Sequence, residues 1–183
     1  MEQVQAGQSG QFDELILRHR PGLLRFAQSV QADADLAEDA AQEALLAAFA
    51  ARSTYNPRFA FSTWVYTILL NVCRRQRRRQ LRAVVTGREF GLCSRTDDSP
   101  LDRLMQSETR EQLAQLLIEL PDAEADALRL RFFAGLQFDQ IALAMESSVS
   151  GAKVRVRRGL ARLADRLRGL QDPAADAAIT LST

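Results

Sequence analysis

The chain has 183 residues and a formal net charge of +1, and 46% of its residues are hydrophobic. This length and apolar content suffice for one domain or two small ones, each with its own core. No stretch approaches the roughly 18 uninterrupted apolar residues of a membrane span, and the polar segment Met1 to Gly10 lacks the apolar core of a secretion signal. We therefore expect a cytoplasmic protein without membrane insertion.

Cysteine and histidine usage argues against a metal site. Cys73 and Cys93 do not form a zinc-ligand spacing, and His19 is the only histidine. We expect neither a metal nor another cofactor. Reduced thiols are the simpler interpretation, with a redox switch at Cys93 as the alternative. The sequence also lacks phosphate-binding, serine-hydrolase and zinc-protease motifs, which argues against an enzyme.

Helical periodicity dominates the first part of the chain. Apolar residues recur at helical spacing from Phe12 to Val30, and Pro21 with Gly22 is expected to kink or break this helix. A second helix is predicted from Asp35 to Arg52, with an apolar face rich in alanine. The opposite, polar flank of this helix can face either water or a basic partner. Its polar and acidic residues are Asp35, Glu38, Asp39, Gln42 and Glu43.

An aromatic and basic loop follows. Tyr55-Asn56-Pro57 is a turn signal, and Ser62 is the predicted N-cap of the next helix. The apolar start of that helix gives way to a run of arginines, and like charges on adjacent turns repel unless a polyanion or an acidic partner relieves them. The simpler alternatives are core packing for the aromatic residues and a solvated run for the arginines. These residues are Tyr55, Phe59, Phe61 and Trp64, and Arg74, Arg75, Arg77, Arg78, Arg79 and Arg82.

The second half of the chain begins after a linker. From Ala83 to Gln106, glycine, serine, aspartate and proline interrupt the periodicity. Two apolar stripes follow, ended by Pro121 and Gly135, and each predicts a helix. Next come a short helix from Phe138 to Met145, a turn at Glu146-Ser147-Ser148 and a longer helix from Val149 to Arg168. The predicted inward positions of the last helix are Val154, Leu160, Leu163 and Leu167.

This short helix, turn and long helix are typical of a helix-turn-helix, whose second helix lies in the major groove of DNA. Its first turns therefore need small residues and hydrogen-bond donors. Both are provided by Ser150, Gly151, Ala152, Lys153, Arg155, Arg157 and Arg158. We predict an all-α fold with two small helical domains. Its parts are a disordered N-terminus (1–11), a first domain (12–82), a flexible linker (83–106), a second domain (107–170) and a flexible tail (171–183).

The order of these features resembles that of bacterial extracytoplasmic-function (ECF, group IV) sigma factors of the sigma-70 family. That group has two domains, sigma region 2 and sigma region 4, joined by a linker. In the first domain the resemblance rests on Ala37 to Glu43 and on Phe61 to Asn71 with the arginine run. In the second domain it rests on Leu120-Pro121, Leu130 to Phe132, Gly135-Leu136, Ile141-Ala142 and Lys153 to Arg158 with Leu163.

The resemblance implies a transcription initiation factor that binds core RNA polymerase, at the β′ clamp helices and the β flap, and directs it to promoter DNA under an anti-sigma factor. For core-polymerase binding it implies Asp35, Glu38, Asp39, Gln42, Glu43 and Leu46. For the minus-10 element it implies Tyr55, Asn56, Arg58, Phe59, Phe61, Trp64, Asn71, Arg74, Arg75 and Arg78. For the minus-35 element it implies Ser148, Ser150, Gly151, Lys153, Arg155, Arg157 and Arg158.

Three residues depart from the family's pattern. Glu146 stands where glycine commonly forms the turn, Ser147 where an aliphatic residue packs, and Ala152 where valine is common. A non-glycine residue at positive φ costs about 1 kcal/mol, and a polar Ser147 is expected to loosen the docking of the last helix. Two alternative functions stay open: a sigma mimic that titrates an anti-sigma protein, and a stand-alone helix-turn-helix regulator.

Overall fold

The computed structural model describes residues 10–31, 33–85, 113 and 115–171. No strand occurs among these residues, which confirms the all-α prediction. Helices α1 to α3 form the first domain and α4 to α6 the second. The helices are α1 (Gly10–Val30), α2 (Ala34–Ala50), α3 (Phe61–Val85), α4 (Asp122–Phe132), α5 (Phe138–Ala144) and α6 (Val149–Gln171), with a 3₁₀ turn at Arg52–Thr54.

Helix α1 continues through Pro21, so the predicted break at this residue is wrong. Proline inside a helix is about 3 kcal/mol less favourable than alanine, and tertiary packing has to offset that cost. Leu23 and Phe26, just beyond the proline, are fully buried. The neighbouring Gly22 allows α1 to approach α3 closely, because a Cβ atom there would lie 2.5 Å from the hydroxyl of Tyr66.

Helix α2 lies at the centre of the first domain and packs on both α1 and α3. It starts after Asp33, whose carboxylate accepts hydrogen bonds from the backbone N–H groups of Asp35 (2.8 Å) and Leu36 (3.2 Å). An N-cap of this kind stabilises a helix by about 1 kcal/mol. Its buried face is formed mainly by small side chains, which permit close helix packing. They are Ala37, Ala40, Ala41, Ala44, Leu45 and Ala48.

The start of α3 differs from the prediction. Ser62 already lies inside the helix, which begins at Phe61, so its assignment as the N-cap is wrong. At the other end α3 continues to Val85 and so extends into the predicted linker. The remainder of that linker, 86–106, lies outside the described residues, as does Cys93.

The chain ends also differ slightly from the prediction. Gly10, placed in the disordered N-terminus, is the first residue of α1. Gln171, placed in the tail, is the last residue of α6. The rest of the predicted N-terminus and tail, 1–9 and 172–183, lie outside the described residues, and so do 107–112 and 114 of the predicted second domain. Residue 11 belongs to α1.

Helix α6 packs on α4 and α5 through a seam of small and medium side chains. Ala152, Val156 and Leu163 are buried, and Gly159 lies so close to α4 that a Cβ there would be 2.8 Å from Leu128 Cδ1. The inward prediction for Leu163 is therefore confirmed. For Leu160 and Leu167 it is wrong, since they are 44% and 46% exposed. Val154 is only partly buried.

The turn between α5 and α6 places a non-glycine residue in the left-handed region, as predicted: the φ angle of Glu146 is 50°. The N–H of Ser147 donates to the carbonyl of Ala142 (2.8 Å), and the N–H of Glu146 donates to that of Leu143 (3.2 Å). This hydrogen-bond pair is a Schellman helix ending. The turn is therefore regular, although Ser147 Oγ is buried without a hydrogen-bond partner among the described residues.

The two domains contact each other directly. Helix α3 packs on α5, and α1 lies against α4. The sequence predicted two domains on a flexible tether and gave no indication of this contact, which places α3 of the first domain against the first helix of the helix-turn-helix.

Candidate nucleic-acid and partner interfaces

The polar flank of α2 is exposed, as predicted. Asp35, Glu38, Asp39 and Gln42 are all exposed, and Leu46 continues the same face with 72% of its surface accessible. An exposed leucine beside carboxylates is a surface that a partner with both apolar and basic side chains can cover.

Two carboxylates of this flank also have partners within the chain. Glu38 pairs with Arg20 of α1 at 2.7 Å. Glu43 is half-buried and accepts hydrogen bonds from Arg75 and from Gln76 of α3, the latter at 3.3 Å. A purely solvated face, the simpler alternative, therefore does not describe Glu43, which connects the acidic flank to the arginine run.

The loop between α2 and α3 contains a packed group of rings. The Tyr55 ring lies 5.3 Å from that of Trp64, and Phe61 lies 5.8 Å from Trp64 and 5.1 Å from His19 of α1. Burial, with Arg18 nearby, lowers the pKa of His19 below its ordinary value. Core packing, the simpler alternative for these aromatic residues, thus accounts for Phe61 and Trp64 and partly for Tyr55.

Phe59 differs from the other aromatic residues of this loop. Its side chain is 44% exposed, while its backbone carbonyl accepts a hydrogen bond from the hydroxyl of Tyr55 at 2.6 Å. The Asn56 side chain accepts a hydrogen bond from the N–H of Arg58 at 3.0 Å, and both residues are exposed. The loop therefore holds a fixed backbone and presents one aromatic ring, an amide and a guanidinium to solvent.

Acidic side chains of the same chain relieve the charge repulsion within the arginine run of α3. Arg75 pairs with Glu43, and Arg77 pairs with Asp122 of α4 at 2.7 Å. The Nε atom of Arg74 donates to Asp126 of α4 at 2.8 Å. The predicted acidic partner is thus partly intramolecular. Asn71, Arg78, Arg79 and Arg82 are exposed on the same helix.

A buried charged cluster that was not predicted from the sequence joins the domains. Asp126 and Arg129 are each 1% exposed. Arg129 donates from Nε to the backbone carbonyl of Ser29 at 2.9 Å, and its Nη1 lies 3.5 Å from Asp126 Oδ1. Burial lowers the pKa of Arg129, while the nearby Asp126 opposes that shift. The available signal was the pair itself, two opposite charges three residues apart within an alanine- and leucine-rich helix.

Cys73 lies beside this cluster. Its thiol is fully buried and free, and its pKa is raised to about 12, mainly by burial and then by the charge of Asp126. A thiol that stays protonated is a poor nucleophile, so the structure favours an unreactive Cys73.

The start of α6 carries the other predicted DNA-binding residues. Ser148 caps the helix, since its hydroxyl accepts a hydrogen bond from the N–H of Gly151 at 3.0 Å. The ammonium of Lys153 lies 5.8 Å from the centre of the Phe138 ring. Arg155 is half-buried, and its Nη1 has no hydrogen-bond partner among the described residues. Ser150, Arg157 and Arg158 are exposed.

A cleft of about 390 Å³ separates the loop before α3 from α5. Arg58, Phe59 and Thr63 line it from the first domain, and Asp139 and Gln140 from the second. The exposed ring and guanidinium of the loop therefore face the first helix of the helix-turn-helix.

The part of the chain that the structure describes contains no group of three or more histidine, cysteine or acidic residues placed to hold a metal ion. Within the same residues, no helix combines the length and apolar character needed to cross a membrane.

Comparison with known proteins gives two family matches. Residues 15–83 match the model described as Sigma-70 region 2, and residues 110–163 match that described as Sigma-70, region 4. The chain is 31% identical to the ECF RNA polymerase sigma factor EcfG of Rhodopseudomonas palustris, over 81% of this chain and 80% of that protein. It is 29% identical to the RNA polymerase sigma-H factor of Pseudomonas aeruginosa, over 86% of each chain.

Two solved structures are similar in fold. The sigma factor RpoE of Bartonella quintana, crystallised in complex with the anti-sigma factor NepR, aligns with a TM-score of 0.71 at 25% identity, over 86% of this chain and 97% of that one. CnrH, solved in complex with the cytosolic domain of CnrY, aligns with a TM-score of 0.69 at 22% identity, over 92% and 94% of the two chains.

Proposed function

The chain belongs to the ECF RNA polymerase sigma factors, and from that premise we propose which of its surfaces performs each part of the work. Members of this family bind core RNA polymerase and promoter DNA and direct the initiation of transcription. The chain acts by binding alone, without making or breaking a bond. Its site of action is the cytoplasm, where polymerase and DNA are.

Core polymerase binds the exposed flank of α2, formed by Asp35, Glu38, Asp39, Gln42, Glu43 and Leu46. The observation that carries this assignment is Leu46, which is 72% exposed at the end of a carboxylate-bearing face. Exposed apolar side chains surrounded by charged ones are common at protein interfaces. A clamp surface with basic side chains around an apolar contact fits this flank.

The minus-10 element binds the loop before α3 and the exposed part of α3. Phe59 offers a ring on which an unpaired base can stack, which contributes about 1–3 kcal/mol per base. Asn56 and Arg58 lie beside it to contact base edges and phosphates. Tyr55, Phe61 and Trp64 hold the loop in place, and Asn71, Arg74, Arg75 and Arg78 contact the strand along α3.

The minus-35 element binds the first turns of α6. Ser150, Lys153, Arg157 and Arg158 are exposed there, as major-groove reading requires. Ser148 and Gly151 have small side chains, so the start of the helix can approach DNA closely. Arg155 lies one turn further along α6 and adds a guanidinium group to this surface. The regular Schellman turn connects α5 to α6, so the non-glycine residue Glu146 in the turn does not argue against this role.

An anti-sigma factor controls the chain. Support comes from the Bartonella quintana RpoE complex, and from exposed apolar residues on both domains, such as Leu17 and Leu167. A purified protein that competes with core polymerase for this chain should abolish its transcription activity. A competitor of this kind that leaves transcription unchanged would contradict this part of the proposal.

The experiment is run-off transcription with purified core polymerase, with and without the chain, on promoter fragments from its own genome. Specific new transcripts are expected. Tight core binding without transcripts would instead favour a sigma mimic, and no core binding would favour a stand-alone DNA-binding regulator.

Matched variants separate the individual surfaces. Leu46→Ser should weaken core binding by about tenfold, because it replaces an apolar interface side chain by a polar one. Leu17→Ser removes an equally exposed leucine (75%) and should not weaken it. Phe59→Ala should impair promoter melting while duplex binding persists, and Phe132→Ala, which removes another exposed ring (61%), is its control. Equal effects within either pair would refute the corresponding assignment.

A further inference from the structure

The contact between the domains contains buried charges, each with a hydrogen-bond partner from the other domain. Asp126 and Arg129 are buried, and each receives a partner from the first domain, Arg74 and the Ser29 carbonyl respectively. Removing a charge from water is costly unless it is paired and hydrogen bonded. The carbonyl end of α1 is also the negative end of the helix dipole, which favours a guanidinium there.

The same contact is suited to open. Its outer pair, Arg77 with Asp122, lies at the rim, where the Asp122 side chain is 74% exposed. Asp126 and Arg129 regain water if the domains separate, so their charges are not left without partners in the open form. Interfaces between domains that rest on polar groups commonly allow relative motion. The contact therefore has the chemistry of a reversible closure.

Closure occupies Arg74, which binds DNA in the proposed function, and also Arg77 on the same helix. A carboxylate oxygen makes the same kind of charge-assisted hydrogen bond to a guanidinium as a phosphate oxygen does. Asp126 thus holds Arg74 in place of a DNA phosphate, and Asp122 holds Arg77 on the same helix. Across the cleft, Phe59 faces α5.

The closed form is too compact to bind both promoter elements at once. By their names the minus-10 and minus-35 elements are about 25 base pairs apart, which is about 85 Å at 3.4 Å per base pair. In the structure α3 is in direct contact with α5, and α5 packs on α6, the helix assigned to the minus-35 element. The two DNA-binding surfaces therefore have to separate before both elements are bound.

We propose that Asp122, Asp126 and Arg129 of α4 form an intramolecular latch that closes the second domain over Arg74 and Arg77 of α3 and inhibits promoter binding by the free chain. DNA phosphates compete with the latch for the guanidinium group of Arg74. The inhibitory effect rests on the proposed function, whereas the closure itself does not, and the two are measured separately.

Closure is measured in the full chain by fluorescence resonance energy transfer between dyes on Gln28→Cys of α1 and Ala161→Cys of α6. Both positions are exposed. Cys93→Ser removes one native thiol, and Cys73 is retained because it is buried with a pKa of about 12. The labelled chain with its latch residues unchanged should give high energy transfer between the two dyes.

Asp126→Asn should increase the ratio of open to closed chain by at least about tenfold, because a buried ion pair loses one charge. Asp165→Asn is the matched control: it removes a carboxylate whose side chain is 70% exposed and which pairs with Arg168 inside α6. Unchanged transfer in Asp126→Asn, or an equal loss in both variants, would overturn the latch.

A charge swap at the rim distinguishes opening from misfolding. Asp122→Arg places like charges opposite each other and should lower the transfer, and adding Arg77→Asp should restore it. Two results would count against the latch. One is an energy transfer in the wild type as low as in Asp122→Arg, and the other is a double variant whose energy transfer stays low.

The inhibitory effect is measured by fluorescence anisotropy with a minus-10 fork DNA and the free chain. If the binding-competent fraction rises about tenfold, Asp126→Asn should bind about tenfold more tightly than Asp165→Asn, which has the same net charge. Opening without tighter DNA binding would overturn the inhibition and leave the closure intact. If the wild-type chain bound neither core polymerase nor DNA, the proposed function would be refuted. The energy-transfer measurement would still decide whether the closure occurs.

Discussion

Replacing Arg75 and Arg78 by alanine should flatten the salt dependence of promoter binding by the reconstituted holoenzyme. Both side chains are exposed on α3, that of Arg75 by 44%. Arg75 is already paired with Glu43, but an exposed ion pair contributes only about 0.2–1 kcal/mol, so a DNA phosphate readily replaces it. Each phosphate contact adds about 0.9 to the slope of log K against log salt on duplex DNA, and about 0.7 on a single strand.

The double variant should therefore lose about 1.4 to 1.8 from that slope. Over a fourfold rise in salt, from about 50 to 200 mM, the wild-type affinity should fall about 7 to 12 times further than the affinity of the variant. The assay is fluorescence anisotropy of a labelled promoter fragment, titrated with holoenzyme at several salt concentrations.

The matched control is Arg18→Ala with Arg168→Ala. These side chains are 66% and 75% exposed and pair within their own helices, so the control removes the same charge from surfaces that have no assigned DNA contact. Identical slopes for wild type and the Arg75 and Arg78 variant would refute the phosphate contacts. Equal flattening in the control would show a general effect of net charge.

Three further predictions concern stability and pH. Glu146→Gly should raise the free energy of unfolding by about 1 kcal/mol, because glycine adopts the φ of 50° without steric cost; a decrease in the urea midpoint would contradict this. Gly159→Leu should lower it by about 1–3 kcal/mol through overpacking against Leu128, whereas Gly169→Ala, with no atom within 4 Å of the added Cβ, should raise it by up to about 1 kcal/mol in the same assay. Burial lowers the pKa of His19, so the imidazole binds a proton more readily in the unfolded chain, and the free energy of unfolding should fall as the pH drops below 6.5. His19→Gln should weaken this pH dependence in urea denaturation measured on both sides of pH 6.5. Identical pH profiles for the variant and the wild type would argue against this role of His19.

The local structure was largely predictable from the sequence because apolar residues repeat with helical spacing. Helix α2 was expected from Asp35 to Arg52 and α5 from Phe138 to Met145, and both agree with the structure within two residues. The left-handed turn at Glu146 was also predictable, since the helix-turn-helix requires a reversal at that point. Pro21 misled the prediction because packing in the first domain overrides its intrinsic preference.

The chemical character of the candidate site was predictable, but the exposure of its individual residues was not. Phe59, Phe61 and Trp64 are close in sequence and similar in type, yet only Phe59 extends well into solvent. The difference arises because α1 supplies Phe12 and His19, whose rings contact Phe61. Contacts between distant segments decide such cases, and local periodicity does not contain them.

The contact between the domains was outside what local patterns reveal. The partners Arg74 and Asp126 are 52 residues apart in the chain. A helical reading places Asp126 and Arg129 on one face of α4, but it does not say whether that face meets water or another domain.

The Glu43 carboxylate, which accepts hydrogen bonds from Arg75 and Gln76, belongs to two surfaces at once. A substitution at this position removes a charge from the flank assigned to polymerase and also releases an arginine assigned to DNA. In a genetic screen, alleles at position 43 should therefore be pleiotropic, with altered holoenzyme assembly and altered promoter preference in the same mutant. Second-site suppressors at position 75 would restore only the promoter preference, so a collection of such suppressors would separate the two phenotypes.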